Sequence, residues 1–451
     1  MSTTDRDLLI KAALSPADDL ALPAGLADAI QREIATTPQL GRGWTGRFVR
    51  RVPALRVFEA PAVRQLAFAL MLLLLAAVVI VTVGSRREPV LPGLVPSYHG
   101  GPDQSGRMPG PGPTDPLVVW RVELEGPMAT LSMPIVSGDI AYFLDARGTA
   151  IAIDLGSRQP VWETSDLGPT SGAPVLVGED LILATDDGSV IALDRNTGVQ
   201  RWRTELSESR TGALAAHGTR VFVGTDAARL HAVSALDGDR IWSIDAGGPV
   251  RRSPAIADGV AFVAADGGFV TAVDLANGKV RWRRGLGAGE VSTPAVADGV
   301  AVLARGPFDL SVPHEIVALD AATGGTIGAW PSPTVDRMYL GALVDGVAWA
   351  VGEDGAVRSV DLNASGAALE LRFAASSPIG SLATVVDDTI YIATTGGTIH
   401  ALDRATAEVH WESQLEGSLT TPVVIDGRII VGTALGEAVV LADAPAGTDQ
   451  E

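Results

Sequence analysis

One carboxylate recurs at a fixed place in a repeated phrase, and a carboxylate at a turn is a first candidate for acid–base or metal chemistry. In "VIALDRNTGVQRW", Val190 to Trp202, it is Asp194; Asp154, Asp274, Asp320, Asp361 and Asp403 stand at the matching place in other copies. A group present once per copy reads as a turn element, because a catalytic base is expected to be unique. The six histidines are scattered without the close helical spacing of a metal pair, and there is no cysteine. Disulfides, thiolate metal sites, a cysteine nucleophile and a lipid-modified N-terminal cysteine are thereby excluded. "GLGAGE", Gly285 to Glu290, lacks the third glycine of a dinucleotide-binding loop and precedes a strand. No calcium loop with alternating acidic ligands and no serine-hydrolase elbow is present. A net charge of −19 opposes a nucleic-acid partner, which requires a concentrated basic face.

Two irregular stretches remain as candidate interaction sites. "LARGPFDLSVPHEIVALD" lengthens one hairpin and carries Phe308, Asp309, His314 and Glu315; long loops on a rigid scaffold are where recognition concentrates. "GPVRRSPAIADG" places Arg251 and Arg252 where other copies have small residues. These arginines either face an acidic partner or balance a nearby carboxylate.

The elements that must position these residues are read from the repeat. Trp120, Trp162, Trp202, Trp242, Trp282, Trp330 and Trp411, with Phe373 in the remaining slot, lie 42, 40, 40, 40, 48, 43 and 38 residues apart. Each unit holds four short Val/Ile/Ala/Leu strands separated by Asp-Gly and Asn-Gly turns, the pattern of a β-propeller blade. The last unit has three strands and no aromatic strand, and the strand of Trp120 has no three strands before it. Joined, they complete an eighth blade and leave no sheet edge at either end of the array. The expected fold is an all-β, eight-bladed propeller of four-stranded antiparallel blades over residues 117–443.

An alanine ten positions before the tryptophan recurs at Ala152, Ala192, Ala232, Ala272 and Ala401. With Gly198 and Trp202 this resembles the tryptophan-docking repeat of the pyrroloquinoline-quinone-repeat, quinoprotein alcohol dehydrogenase-like propellers, over about Tyr98 to Asp443. The resemblance implies that the tryptophans, with turn glycines such as Gly198 and Gly278, clamp neighbouring blades. The unit ending at Trp330 inserts two residues, and the next, "VRSVDLNASGAALELRF", keeps Asp361 but loses alanine and tryptophan. Enzymes of the family hold the quinone over calcium, many with an adjacent cysteine pair; this chain has no cysteine and shows no match to their calcium ligands or catalytic aspartate. No catalytic residue, metal site or cofactor is therefore expected, and quinone with calcium stands as the alternative.

Location follows from residues 66–84, "LAFALMLLLLAAVVIVTVG", uncharged and about 28 Å long as a helix, enough for one membrane span. Arg42, Arg47, Arg50, Arg51, Arg56 and Arg64 precede it, while only Arg86 and Arg87 follow closely, which predicts a cytoplasmic N-terminus. The expected organisation is a cytoplasmic tail over 1–65, the span, a Pro/Gly-rich spacer over 85–116, the extracytoplasmic propeller and a short tail over 444–451. The resemblance includes non-enzymatic envelope proteins, so the expected function is a membrane-anchored interaction or scaffold module with an unidentified envelope protein as partner. A transmembrane sensor and a quinone-dependent oxidoreductase are the alternatives.

Overall fold

The computed structural model describes residues 94–95, 98–124, 126–128, 133–170, 172–206 and 210–444. The expected cytoplasmic tail and membrane span lie outside the described residues, as does the chain from residue 445 onward. Among the described residues no helix is long and apolar enough to cross a membrane.

Eight antiparallel sheets follow one another along the chain, each built on four strands, with a fifth, short strand joining the first and fifth sheets. Blade one comprises Ile135–Ser137, Ile140–Leu144, Ala150–Asp154 and Gln159–Thr164. Blade two is Val175–Val177, Asp180–Ala184, Ser189–Asp194 and Gln200–Glu205. The middle strands are continuous apolar runs because neighbouring blades cover both their faces. Between blades two and three, Val175, Ile182 and Val190 pack with Leu214, Val221, Val223 and Val233. Outer strands such as Gln200–Glu205 instead alternate exposed and half-buried residues. Asp258 (φ 49°) and Gly259 (φ 71°) both take the left-handed backbone that a two-residue hairpin of this twist demands. Asp298 and Gly299 repeat the device in the next blade.

The ring closes between its ends. Pro116–Glu123 lies antiparallel to Glu437–Asp443, with Trp120 opposite Val440, and completes the blade of Val423–Ile425 and Arg428–Gly432. The turn joining the third and outer strands of this blade is broken in the chain, and its parts are reassembled in space. Asp194 accepts hydrogen bonds from the Asn196 and Thr197 amides in an unbroken turn, and Asp443 accepts them from the Thr114 and Asp115 amides at 2.7–3.0 Å. The Thr114 and Thr197 hydroxyls complete the likeness by donating to the same carboxylates.

Tryptophans tie blade to blade. The indole N–H of Trp162 donates to the Arg195 carbonyl at 2.8 Å, that of Trp202 to Ala235 at 3.0 Å, that of Trp242 to Leu275 at 3.2 Å and that of Trp282 to Ala321 at 3.0 Å. Each ring lies against the next blade's turn glycine. A Cβ on Gly198 would fall 2.5 Å from Trp162, and one on Gly278 2.8 Å from Trp242, and both glycines have φ above +70°. Each turn therefore requires glycine for conformation and for space. Trp411 donates to the Pro113 carbonyl at 3.2 Å, so the rebuilt turn serves as docking platform too. Trp120 is buried with Leu155 in the cluster that spans the closure.

Two slots depart from the expected clamp. In blade five the residue opposite Ala318 is Gly328, so Trp330 stands two positions beyond the docking place. Its ring lies back over Gly328, where a Cβ would be 2.5 Å from it. In blade six the clamp is Arg372 rather than Phe373. The Arg372 guanidinium donates to the Ala405 carbonyl and lies 5.9 Å from the Trp349 ring, as Trp242 lies against Phe222 at 5.7 Å. Phe373, beyond a bulge that shifts the register, packs on His400 at 5.1 Å instead.

One inner position carries a buried polar side chain in some blades. The residue before the alanine opposite the tryptophan is Ile151 in blade one and Ile191 in blade two, but His231 in blade three, Thr271 in blade four and His400 in blade seven. His231 is 3% exposed and neither ring nitrogen has a hydrogen-bond partner among the described residues. Burial, with Arg240 and Arg229 nearby, pushes its pKa down to about 4.

Trp202→Ala and Trp282→Ala are each expected to lower unfolding free energy by about 3–5 kcal/mol, the cost of emptying a large aromatic site, measured by chemical denaturation. Unchanged midpoints in both would refute the clamp. His231 predicts an acid sensitivity of definite sign. The unfolded ring takes up a proton near 6.5 and the folded ring only near 4, so stability falls as pH falls through that window. In His231→Ile the loss of Tm between pH 6.5 and 4.5 should shrink by about 2 °C or more, and an unaltered loss would show that His231 contributes none of it.

Candidate functional site

The recurring aspartates serve their own turns. Asp194 accepts from Arg201, from the Asn196 and Thr197 amides and from the Thr197 hydroxyl, and these contacts hold its pKa down to about 2. Asp320 and Asp403 do the same with Thr323 and Thr406, and both carboxyls are held low by those bonds. A carboxylate so occupied is a poor base.

Arg251 and Arg252 both lie beside carboxylates of this chain. Arg251 reaches Asp226 at 2.8 Å and Asp266 at 2.5 Å, bridging the adjacent hairpin turns of blades three and four. Arg252 stands 4.0 Å from Glu290 and over the Tyr339 ring at 6.0 Å. Glu290 also receives Arg337 at 2.9 Å. Burial, with Glu353 and Glu290 close by, pushes the Tyr339 phenol up to about 12.

The long loop of blade five divides in two. Phe308 is 55% exposed and Val312 56%, and Asp309 folds its own turn by accepting the Ser311 amide at 3.0 Å. Of the loop's other two candidate interaction residues, His314 turns inward and is buried, while Glu315 is half-buried. His314 is 1% exposed, packs on Gly306 and accepts the Met338 amide through Nδ1 at 3.4 Å. Glu315 begins the strand Glu315–Asp320 and pairs with Arg305. The inward turn follows from strand alternation, which resumes at His314 and carries it into the inter-blade core.

The largest departure from the composition is in the Pro/Gly-rich lead-in, read as a spacer without a core. Leu94–Val95 pairs with the innermost strand of blade one, and the chain then folds into a compact loop from His99 to Gly106, closed by the Gly106 amide on the His99 carbonyl at 3.1 Å. Backbone carbonyls of this segment accept, in order, amides from the inner strands or turns of five consecutive blades. Pro102 accepts Ile256, Asp103 Val296, Ser105 Leu343, Gly106 Val385 and Pro111 Gly427, all at 2.6–3.0 Å. A segment that contacts the inner strands of blades on several sides lies inside the ring. His99, Gln104, Ser105 and Met108 are buried there. The His99 ring nitrogens stand 2.9 Å from the Gln104 carbonyl and 3.0 Å from the Ala383 carbonyl, and Gln104 donates to Ser253 at 3.3 Å. Burial holds the His99 pKa below the ordinary value despite these carbonyls, which favour the charged ring.

This hub bears on the cofactor that the fold family implies. A calcium ion beneath a quinone needs several converging oxygen donors. Among the described residues no three His, Asp or Glu side chains gather to hold a metal, and the lead-in's buried polar side chains are one imidazole, one amide and one hydroxyl, those of His99, Gln104 and Ser105. The residues present do not fit a quinone–calcium pair. Glycine and proline content hid the hub from sequence reading, since each of the five carbonyl contacts to blades four to eight reaches a residue more than a hundred positions away.

Comparison with known proteins agrees with this architecture. The family model described as outer membrane protein assembly factor BamB matches residues 113–214, 186–337 and 345–450. Among solved structures, BamB from Moraxella catarrhalis is similar with a TM-score of 0.59 and 20% identity, over 75% of this chain and 100% of that one. Quinohemoprotein alcohol dehydrogenase from Comamonas testosteroni gives 0.64 and 14%, over 81% and 83%. The computationally designed Ika8 protein gives 0.63 and 18%, over 71% and 98%. At these identities the structures show the fold alone. A search of curated protein sequences finds no match. With three consecutive segments of the family model spanning the whole ring, the chain belongs to the pyrroloquinoline-quinone-repeat β-propeller family described as outer membrane protein assembly factor BamB.

Proposed function

We propose that this chain is an extracytoplasmic interaction module of the bacterial cell envelope, anchored by the single span of residues 66–84 with its N-terminal side cytoplasmic. The observation that carries this reading is the hub. The lead-in puts its own backbone and buried side chains inside the ring, where a propeller enzyme would keep a ligand, so recognition falls to the outer surfaces. The family model supports the same class, and the absence of cysteine together with the unfavourable donor set weighs against quinone chemistry.

A sensing role has one observation in its favour. The lead-in is the direct continuation of the segment that precedes Leu94, and it bonds to six blades, one through Leu94–Val95 and five through its carbonyls, so a shift in it would be felt around the ring.

The test uses the full-length chain in detergent. Added pyrroloquinoline quinone with calcium is expected to leave Tm unchanged and to support no dye reduction with alcohols or sugars. A saturable rise of several degrees would overturn the reading, since a ligand bound to the folded state alone must stabilise it. Crosslinking in native membranes is expected to join the propeller to the same envelope protein whether or not residues 1–40 are present. Loss of that crosslink on removing 1–40 would favour sensing.

A further inference from the structure

At blade five and the connection that follows it, large apolar side chains are exposed on segments bonded to each other. Phe308 and Val312 of the blade-five loop are 55% and 56% exposed, and Val335 of the following connection is 52% exposed. Pro331 and Pro333 are exposed on the same connection. The two segments are stitched together. Arg337 donates to the Phe308 carbonyl at 3.5 Å, the Ser332 amide donates to the His314 carbonyl at 2.7 Å, and the Met338 amide donates to the His314 ring. Buried His314 wedges the base of the loop by filling the space beside Gly306, where a Cβ would lie 2.0 Å from its ring.

Charge around the patch decides what it fits. The nearby cations are each paired, Arg305 with Glu315 and Arg337 with Glu290, which Arg252 also approaches at 4.0 Å. Asp309 and Asp336 have no cationic partner among the described residues, and Ser311 holds the Asp309 carboxyl below its ordinary pKa. The uncompensated charge at the rim is negative. An apolar centre ringed by unpaired carboxylates complements an apolar partner segment that carries lysine or arginine, and it repels an anionic lipid surface.

We infer that the surface formed by Phe308, Val312 and Val335, with Asp309 and Asp336 at its rim, is the docking site for a partner polypeptide presenting apolar residues flanked by basic ones. This deepens the interaction-module reading and rests on it. Pre-organisation is what makes the site effective: the loop is already fixed, so little ordering entropy opposes docking.

The test is binding of the full-length chain in detergent micelles to immobilised synthetic twelve-residue peptides. Three sets are compared, with a Leu/Phe centre flanked by lysines, the same centre flanked by glutamates, and a serine centre flanked by lysines. The first set is expected to bind about tenfold or more tightly than either of the others, with the advantage shrinking as salt rises. Phe308→Ser with Val312→Ser should abolish the binding, and Asp309→Asn with Asp336→Asn should equalise lysine- and glutamate-flanked peptides, at unchanged Tm in both cases. Asparagine retains the oxygen that accepts the Ser311 amide, so the second variant keeps the loop in place. Binding indifferent to flanking charge, binding that survives F308S/V312S, no binding by any set, or preferential capture by phosphatidylglycerol vesicles would each overturn the proposal. If an envelope-protein crosslink persists in F308S/V312S, this surface is wrong and the module reading stands.

Discussion

Closure is the constraint on which the rest of this structure depends. Blades packed face to face in an open row leave an apolar sheet face uncovered at each end, and the last blade without Pro116–Glu123 lacks its outer strand. Here Pro116–Glu123 pairs with Glu437–Asp443, so both ends of the array sit in one sheet. The chain break that remains is repaired by Asp443, which gathers the Thr114 and Asp115 amides into the geometry of an ordinary turn. Since Trp411 docks on that turn through the Pro113 carbonyl, the repair is itself part of the inter-blade packing.

Once the ring is closed, each blade must hold its neighbour, and the repeated phrase supplies a clamp of two parts. Tryptophan gives apolar area and one directional hydrogen bond, and glycine gives the space in which the ring lies. Where the phrase fails, packing finds substitutes that preserve one part each. Arg372 keeps the directional bond to the next turn and stacks on Trp349. Trp330 keeps the apolar volume by folding over Gly328. The two weakened slots are adjacent, and the exposed Phe308–Val312 loop and Val335 connection lie at the same pair of blades. Relaxed repeat discipline and an exposed, pinned surface coincide there.

The ring interior obeys a different requirement. Eight inner strands with small and apolar residues leave backbone amides facing inward, and a buried amide without a partner is costly. The lead-in meets this demand with a succession of carbonyls. Its glycines and prolines let it turn inside the ring, and His99 and Gln104 hold the loop by hydrogen bonds to main-chain and side-chain acceptors. A segment read as a spacer from its composition is thus bonded to five consecutive blades.

The sequence by itself determined the blade number, the split eighth blade and the tryptophan clamp of the regular blades, because these depend on local strand alternation and on a period near forty residues that can be counted along the chain. The turn carboxylates were legible for the same reason: Asp194 and its counterparts bond to residues two or three positions away. Tertiary structure alone decided which residues at the irregular sites face outward. His314 and Phe308 are six residues apart in one loop, yet one is buried and the other exposed, an outcome set by the space beside Gly306 and the contacts of Arg337. It alone decided that Arg251 bridges two carboxylates of different blades, that Arg372 replaces Phe373 in the sixth clamp, and that the Pro/Gly-rich lead-in fills the ring. Each of these rests on contacts between residues far apart in sequence, whose distance in space only the closed ring defines.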